Sequence, residues 1–259
     1  MVPLKHNKLL ELKKQNTIAT NAWLAIPNAW TAELIANVGF DACTIDLQHG
    51  LADYQIALTM LQSINSSGNV PLVRVPWNEP SLVMKMLDAG ALGVIVPMID
   101  NQKQIRHFID ACKYPPLGSR SFGPIRASLT LGKDYFQEAN NEILAIAMIE
   151  TREGLKNIED IANVEGLNGF YIGTMDLSIS LGLKSLGDLH DAILMSAIEK
   201  ILDIAKEQDL LIGIHSKSLE ETEILRDLGV NIITPINDST LLQTSALSIY
   251  NQTKTLLSK

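Results

Sequence analysis

Short apolar segments alternate with helix-like segments along the whole sequence, and this alternation limits the folds that the chain can adopt. A short continuous apolar run is typical of a strand that is buried on both faces, as in a parallel sheet. The predicted strands are 17–25, 41–46, 70–75, 92–97, 143–149, 169–173, 210–214 and 231–235. Eight strands that alternate with helices predict a (β/α)8 barrel, also called a TIM barrel.

Helices are predicted before, between and after these strands. The predicted helices are 4–15, 27–38, 53–64, 80–89, 101–112, 153–163, 190–208, 218–228 and 240–257. The chain has 259 residues, and one such barrel typically uses about 250, so we expect 1–259 to be a single domain. A doubly wound sheet is the alternative fold, but no glycine-rich nucleotide-binding loop follows the first strand.

Two stretches interrupt the alternation. Residues 113–141 begin with a segment rich in Pro, Gly and Ser and are expected to form a long loop, and 182–189 are a second irregular stretch. Long loops in compact domains are usually functional or disordered. Arg120 and Arg126 in the first stretch are interpreted either as groups that bind a distal carboxylate or phosphate, or as solvated loop arginines.

Composition excludes several classes of protein. Hydrophobic residues make up 46% and charged residues 19% of the chain, as in a well-cored globular protein. The net charge of −8 argues against a nucleic-acid-binding surface. Two isolated cysteines, Cys43 and Cys112, indicate a reducing compartment. With neither a signal-peptide core nor an apolar run of membrane-spanning length, we expect a cytoplasmic protein.

Two of the predicted strands are followed by a carboxylate. Glu150 follows the apolar run 143–149, and Asp176 ends the segment G-F-Y-I-G-T-M-D. In a parallel barrel the strand ends meet on the active face, so both carboxylates are expected at one rim. Such a pair, with room for water and substrate, suits an octahedral divalent cation. The alternative for each is an acid that caps the following helix.

Strands two and three add a histidine and an arginine. Strand two ends in the run I-D-L-Q-H-G, which contains Asp46 and His49, and the carboxylate is expected to reach the imidazole and fix its tautomer for general acid/base work. Arg74 ends strand three, where a cation is costly unless it faces an anion. A salt bridge from Arg74 to Asp46 is the alternative. Trp23 in strand one either forms a wall of the site or belongs to the core.

This set of groups favours a reaction next to a carbonyl. Two carboxylates for a metal, a histidine and an arginine fit proton transfer or carbon–carbon bond chemistry. No strand end carries a lysine in an apolar setting, which argues against a Schiff-base aldolase.

Five ordered segments resemble the HpcH/HpaI family of metal-dependent (class II) aldolases. They are I-D-L-Q-H-G, V-R-V-P-W-N-E-P, K-Y-P-P-L-G-S-R-S-F-G-P-I-R-A, M-I-E-T-R-E-G-L-K-N and Y-I-G-T-M-D-L-S. The resemblance extends from about Trp23 to the last helix. It implies reversible cleavage of a 4-hydroxy-2-oxo acid, such as 4-hydroxy-2-oxoheptanedioate or a 2-keto-3-deoxy sugar acid, to pyruvate and an aldehyde.

The resemblance also implies roles for single residues. Glu150 and Asp176 would bind Mg2+ or Mn2+, with Co2+ and Zn2+ as further candidates, and the metal would bind pyruvate. His49 with Asp46 would move protons, Arg74 would stabilise the enolate, and the backbone near Met175 would bind the substrate carboxylate. Family members form hexamers with an exchanged C-terminal helix, so a homo-oligomer is expected.

Two positions depart from the family pattern. Thr174 stands where relatives often have Pro, which adds a hydroxyl beside the carboxylate pocket, and Met148 stands where some relatives carry a glutamine. Both residues are expected to contact the substrate, as is Trp23. The alternatives to an aldolase are a citrate-lyase-like or malyl-CoA-lyase-like enzyme, for which no basic cluster suited to CoA is visible, and a catalytically silent barrel that binds a keto acid.

Overall fold

The computed structural model describes residues 6–258 and contains a closed barrel of eight parallel strands in chain order. The strands are β1 (Ala19–Leu24), β2 (Ala42–Asp46), β3 (Val70–Arg74), β4 (Gly93–Val96), β5 (Leu144–Ile149), β6 (Gly169–Ile172), β7 (Leu211–His215) and β8 (Ile232–Asn237). The barrel closes through the pairing of β1 with β8. The predicted (β/α)8 fold is therefore confirmed.

Helices surround the barrel on its outside. They are α1 (Lys8–Lys14), α2 (Ala29–Ala36), α3 (Tyr54–Ser67), α4 (Pro80–Asp88), α5 (Gln102–Cys112), α6 (Ile125–Leu131), α7 (Tyr135–Glu142), α8 (Arg152–Lys156), α9 (Ile158–Ala162), α10 (Thr174–Leu181), α11 (Ala192–Glu207), α12 (Leu219–Asp227) and α13 (Asp238–Leu257). The start of the predicted helix 4–15 lies outside the described residues, and the predicted helix 153–163 is divided at Asn157. No helix within 6–258 is both long and apolar enough to cross a bilayer.

The strands are buried on both faces and hold polar groups at their ends. Strands such as β2, β3 and β5 are buried along their whole length, because the barrel interior covers one face and helices cover the other. Register places Asp46 opposite Arg74 on neighbouring strands. Polar groups at these strand ends are therefore held by a rigid, well-packed frame.

The prediction of a long loop over 113–141 is wrong in its second half, which forms α6 and α7. The Pro- and Gly-rich start of this segment masked the apolar spacing of Ala127 and Leu131, both of which are buried. Arg120 is also buried, with Nη2 donating to Asp88 Oδ1 at 2.6 Å and Nη1 to the Tyr135 hydroxyl at 3.0 Å. Arg126 donates to the Ala89 carbonyl. Arg120 is thus buried in contacts with α4 and α7, and the half-buried Arg126 also bonds to the end of α4, so both arginines attach the segment to that helix.

The last helix, α13, differs from the others in its exposure. Asp238 at its start accepts hydrogen bonds from the Ala25 and Ile26 amides, which fixes that end to the residues that follow β1. Farther along, large apolar side chains are exposed: Leu241, Leu242, Leu247, Ile249, Tyr250, Leu256 and Leu257. Within residues 6–258, these side chains have no apolar surface that covers them.

Candidate active site

A cavity of about 590 Å³ opens at the carboxyl ends of the strands, on the face where barrel enzymes carry their active sites. It contains all of the predicted site residues. Those residues are Trp23, Asp46, His49, Arg74, Met148, Glu150, Thr174, Met175 and Asp176. The fold therefore brings together, at the strand ends, residues that are far apart in the sequence.

Glu150 is a buried carboxylate whose position depends on the absence of a side chain at Gly173. Its Oε1 accepts a hydrogen bond from the Met98 amide at 2.7 Å. A Cβ at Gly173 would lie 2.5 Å from Glu150 Oε2 and 2.7 Å from its Cβ, closer than side-chain atoms approach one another. The glycine of the G-T-M-D segment therefore makes room for this carboxylate.

The electrostatic environment of Glu150 is unfavourable for its negative charge. Burial raises the pKa of Glu150 to about 7, and the charge of Asp176 adds to this effect, while the Met98 amide and, to a smaller extent, the charge of Arg74 oppose it. Within residues 6–258, Glu150 Oε2 has no hydrogen-bond partner. A cation between the two carboxylates would remove this penalty.

The donor set fits a hard divalent cation. Asp176 lies in the first turn of α10 and is exposed to the cavity, so both acids present oxygen atoms there. Among the described residues, no third His, Cys, Asp or Glu joins the pair to form a larger metal-binding group. Mg2+ and similar ions are often held by one or two carboxylates, with water and substrate completing the coordination. The two acids are thus sufficient for such a site.

Asp46 and Arg74 form a bidentate ion pair. Arg74 Nε donates to Asp46 Oδ1 at 2.8 Å, and Nη2 donates to Oδ2 at 2.6 Å. Burial alone would raise the pKa of Asp46, but the hydrogen bonds and charge of Arg74 outweigh that effect and hold it below its ordinary value. The salt bridge that the sequence offered as an alternative is present, and it fixes the guanidinium plane.

The expected contact between the Asp46 carboxylate and the His49 imidazole is replaced by a contact with the backbone. Asp46 Oδ1 accepts hydrogen bonds from the amides of Gln48 at 3.0 Å and His49 at 3.3 Å. Since Arg74 occupies both carboxylate oxygens, Asp46 shapes the turn that carries His49 and leaves the imidazole exposed at the rim. His49 lines the cavity, as its position after β2 predicted, but the predicted contact of Asp46 with the imidazole is wrong, because the carboxylate bonds to the backbone instead.

Trp23 and Met148 form walls around the guanidinium group. The Arg74 Cζ lies 4.9 Å from the centre of the Trp23 ring, within the range of a cation–π contact. Met148 Sδ lies 3.9 Å from Nη1, the nitrogen that Asp46 does not bind. A thioether is a weak acceptor, so Nη1 keeps its capacity to donate to a ligand.

The N-terminus of α10 faces the same cavity. Gly173 precedes the helix and provides no side-chain cap, and Leu177 is the first residue whose amide bonds to a carbonyl at the helix start. The amides of Thr174, Met175 and Asp176 are therefore available, and the helix dipole favours an anion there. Thr174 is buried and Met175 is exposed. This arrangement suits a substrate carboxylate.

Sequence reasoning missed a further group that lines the cavity. His215 ends β7, and its Nδ1 lies 3.0 Å from the hydroxyl of Tyr171 on β6. The Tyr171 hydroxyl also bonds to Thr234 Oγ1 at 2.7 Å. The rule that identified Glu150 and Arg74 applies to the run L-I-G-I-H as well, and it would have found His215.

The hydrogen-bond chain continues into the barrel. Asn21 Nδ2 donates to Thr234 Oγ1 at 2.9 Å, and Thr44 Oγ1 donates to Asn21 Oδ1 at 3.0 Å. A Cβ at Gly213 would lie 2.6 Å from the Tyr171 ring, so this glycine makes room for the tyrosine. The barrel interior thus contains a continuous buried polar chain that reaches the cavity at His215.

The chain is similar to known proteins over most of its length. The sequence profile of the family described as HpcH/HpaI aldolase/citrate lyase matches residues 20–242, a range that includes every residue lining the cavity. A hydroxypyruvate/pyruvate aldolase of Rhizorhabdus wittichii is 35% identical over 250 residues, covering 96% of this chain and 100% of that protein. A 4-hydroxy-2-oxo-heptane-1,7-dioate aldolase of Shigella boydii is 34% identical over 227 residues, covering 86% of each.

Solved structures give the same grouping. An HpcH/HpaI aldolase/citrate lyase family protein of Burkholderia cenocepacia superposes with a TM-score of 0.87 at 27% identity. The superposition covers 96% of this chain and 99% of that one. Sequence and fold therefore agree over nearly the full length.

Proposed function

This chain belongs to the HpcH/HpaI aldolase/citrate lyase family, and on that premise we propose that it is a divalent-metal-dependent aldolase. It cleaves a 4-hydroxy-2-oxo acid to pyruvate and an aldehyde, and it catalyses the reverse condensation. The observation that carries the proposal is the buried Glu150 carboxylate, whose pKa is raised by burial and by the charge of Asp176 although the charge of Arg74 partly offsets both, and which lines the same cavity as that fixed arginine. Relatives named as aldolases support the reaction class.

Glu150 and Asp176 are the proposed ligands of Mg2+ or Mn2+. When bound, such an ion supplies Lewis-acid polarisation of the keto group and offsets the negative charge that develops there. Oxygen donors accept several hard divalent ions, so Co2+ and Zn2+ are also candidates.

Substrate binding uses groups that are fixed before the substrate arrives. The free amides at the start of α10, around Met175, bind the carboxylate, and the Thr174 side chain lies beside them. Arg74 Nη1 donates to the keto oxygen and stabilises the enolate. Trp23 and Met148 keep the guanidinium in place and exclude water from it. Preorganised donors of this kind cost no reorganisation during the reaction.

Bond cleavage needs a base at the rim, and His49 has that role in the proposal. Its imidazole takes the proton from the 4-hydroxyl as the bond between C3 and C4 breaks, and C4 leaves as an aldehyde carbonyl. The electron pair of the broken bond forms the enolate next to Arg74, and C3 then gains a proton to give pyruvate. Asp46 positions both partners, since it holds the Arg74 guanidinium and the backbone of His49.

A homo-oligomer is the proposed assembly. The exposed apolar residues of α13 favour burial against another copy of the chain, and exchange of this helix between subunits would provide it. Sedimentation of the full chain and of a chain that ends at Leu241 tests this, because loss of the helix should lower the molecular mass of the assembly.

The function is tested by exchange of the pyruvate C3 protons with D2O, followed by NMR. Exchange should require Mg2+ or Mn2+ and should stop when EDTA is added. The assay needs no knowledge of the aldehyde, and it reports enolate formation directly. Absence of exchange with every divalent ion would overturn the pyruvate aldolase proposal, and acyl-CoA substrates would be the next to examine.

A further inference from the structure

His215 has one ring nitrogen committed to the protein and one available to the cavity. Nδ1 bonds to the Tyr171 hydroxyl, and the ring packs edge-on against Trp23 with centroids 4.6 Å apart. Nε2 has no hydrogen-bond partner within residues 6–258 and is not enclosed by protein atoms. Because His215 lines the cavity, Nε2 is positioned for a ligand that enters it.

The surroundings of His215 keep it uncharged. Burial lowers the pKa of His215 to about 4, and the nearby charge of Arg74 lowers it further, against a smaller opposing effect of Asp46. A neutral imidazole offers no positive charge to a carboxylate or phosphate, but its one donor or one acceptor pairs well with a neutral polar group. The aromatic rings of Trp23 and Tyr171 keep bulk water away from two sides of the ring.

We propose that His215 is a further substrate-contacting residue, whose Nε2 hydrogen-bonds a hydroxyl group of the substrate, so that the site selects hydroxylated carbonyl compounds over their deoxy counterparts. This inference rests on the proposed aldolase function. The hydroxyl is carried either by the 2-oxo acid donor, as in hydroxypyruvate, or by the aldehyde acceptor, as in glycolaldehyde. The chemistry is the same in both cases.

The polar chain inside the barrel explains why a hydroxyl is the matching group. With Tyr171 donating to Thr234, Nδ1 carries the proton and Nε2 is an acceptor. If the two hydroxyls reverse their direction, Tyr171 donates to Nδ1 and Nε2 becomes a donor. A hydroxyl both donates and accepts, so it pairs with Nε2 in either tautomer. A methyl group in its place would leave Nε2 desolvated and unpaired.

The test compares substrate pairs within each protein variant. In the donor arm, kcat/KM is measured for hydroxypyruvate and pyruvate with one common aldehyde. In the acceptor arm, it is measured for glycolaldehyde and acetaldehyde with pyruvate. The variants are His215→Asn, which keeps a polar atom for Tyr171 and removes the one at Nε2, and His215→Gln, which places an amide near the Nε2 position. His107→Asn, an exposed histidine on α5, is the matched control.

The expected result is a loss of preference in one arm. His215→Asn should lower the ratio of the hydroxylated to the deoxy substrate by roughly 10- to 100-fold, and the affected arm identifies the molecule that carries the hydroxyl. His215→Gln should restore most of the ratio, and His107→Asn should retain it. A ratio reflects the folded fraction only, so partial unfolding does not imitate this result.

Two outcomes overturn the inference while the proposed function stands. One is an unaltered protein that has no preference in either arm. The other is an equal fall in kcat/KM for both members of each pair in His215→Asn, which would mark a purely structural residue. If the unaltered protein fails to exchange the pyruvate protons with any divalent ion, the proposed function fails first and the inference falls with it.

Discussion

The two sides of the cavity differ in how their charges are balanced. At the ends of β2 and β3, Asp46 and Arg74 neutralise each other through two hydrogen bonds. At the end of β5 and the start of α10, Glu150 and Asp176 are both acidic, and Asp176 contributes to the raised pKa of Glu150. The charges of Asp46 and Arg74 are paired within the chain, whereas in the proposed function Glu150 and Asp176 receive a cation from outside.

This difference separates two kinds of functional group. A bidentate ion pair fixes the direction of the guanidinium before any ligand binds, so Arg74 is a preorganised donor. A pair of like charges is strained without its ligand and gains most when the ligand arrives. Substitutions on the two sides should therefore have different consequences for stability and for turnover.

The largest effect is expected from Glu150→Gln. The neutral amide preserves the shape of the side chain and its acceptor for the Met98 amide, and it removes the charge that would bind a metal. Turnover should fall by roughly 10³-fold or more because Lewis-acid assistance is lost, and calorimetric titration with Mn2+ should show much weaker binding. Glu153→Gln, an exposed glutamate three residues along the chain, is the control and should retain both properties. Unchanged turnover in Glu150→Gln would contradict the proposal that Glu150 binds the metal.

Removing Arg74 from its pair with Asp46 should lower both the free energy of unfolding and the activity. Arg74→Met leaves the Asp46 carboxylate buried without a cation, a change that typically costs about 3–5 kcal/mol of the free energy of unfolding. Urea denaturation measures it, and the additional replacement Asp46→Asn should recover part of the loss. Arg226→Met, which removes an exposed pair with Asp227, should leave the unfolding midpoint almost unchanged. If both arginine variants had equal unfolding midpoints, the Asp46–Arg74 pair would contribute no more to stability than the exposed Arg226–Asp227 pair.

Much of this architecture could be predicted from sequence because it depends on local patterns. Apolar runs indicated all eight strands. The charged residues at the ends of two of these runs drew attention to Glu150 and Arg74. The partner of Asp46 could not be inferred in the same way, because it depends on the register that places Asp46 opposite Arg74. Proximity along the chain favoured His49, and proximity across the sheet determined the actual contact.

The polar interior of the barrel was also beyond sequence reasoning. Asn21, Thr44 and Thr234 each lie within an apolar strand, and only the closed barrel brings them to Tyr171. A single polar residue in such a strand carries no sign of its partners. The helices α6 and α7 were missed for a different reason, since their apolar spacing follows a segment whose Pro and Gly content indicated a loop.

The acidic side should give the metal-free protein an unusual dependence on pH. Glu150 has an ordinary pKa of 4.5 and a pKa of about 7 in the fold. Because the folded value is higher, its contribution to stability is fully present below pH 4.5 and is lost as the pH rises through about 7. In EDTA this loss should be on the order of 3 kcal/mol.

Thermal unfolding between pH 5 and 8 measures this contribution. Glu150→Gln lacks the titrating group, so in EDTA the variant should gain stability relative to the unaltered protein as the pH rises. Saturating Mn2+ should remove the relative gain, since the ion compensates the charge of Glu150 only in the unaltered protein. Parallel pH profiles for the two proteins in EDTA would mean that the acidic side carries no electrostatic strain.

Gly173→Ala should have the smallest effect, because it moves Glu150 without altering a charge on either side of the cavity. Gly173→Ala places a methyl group 2.5 Å from Glu150 Oε2 and 2.7 Å from its Cβ, and the backbone φ of −87° is open to alanine, so crowding is the only effect. The displaced carboxylate should bind Mn2+ roughly 10-fold more weakly, as when a ligand loses its supporting geometry. Gly123→Ala, whose new methyl group would meet only Asp88 Oδ2 at 3.9 Å, should bind as the unaltered protein does. Equal affinities in both variants would show that the position of Glu150 does not determine metal binding, and the contrast between the two sides of the cavity would then rest on charge alone.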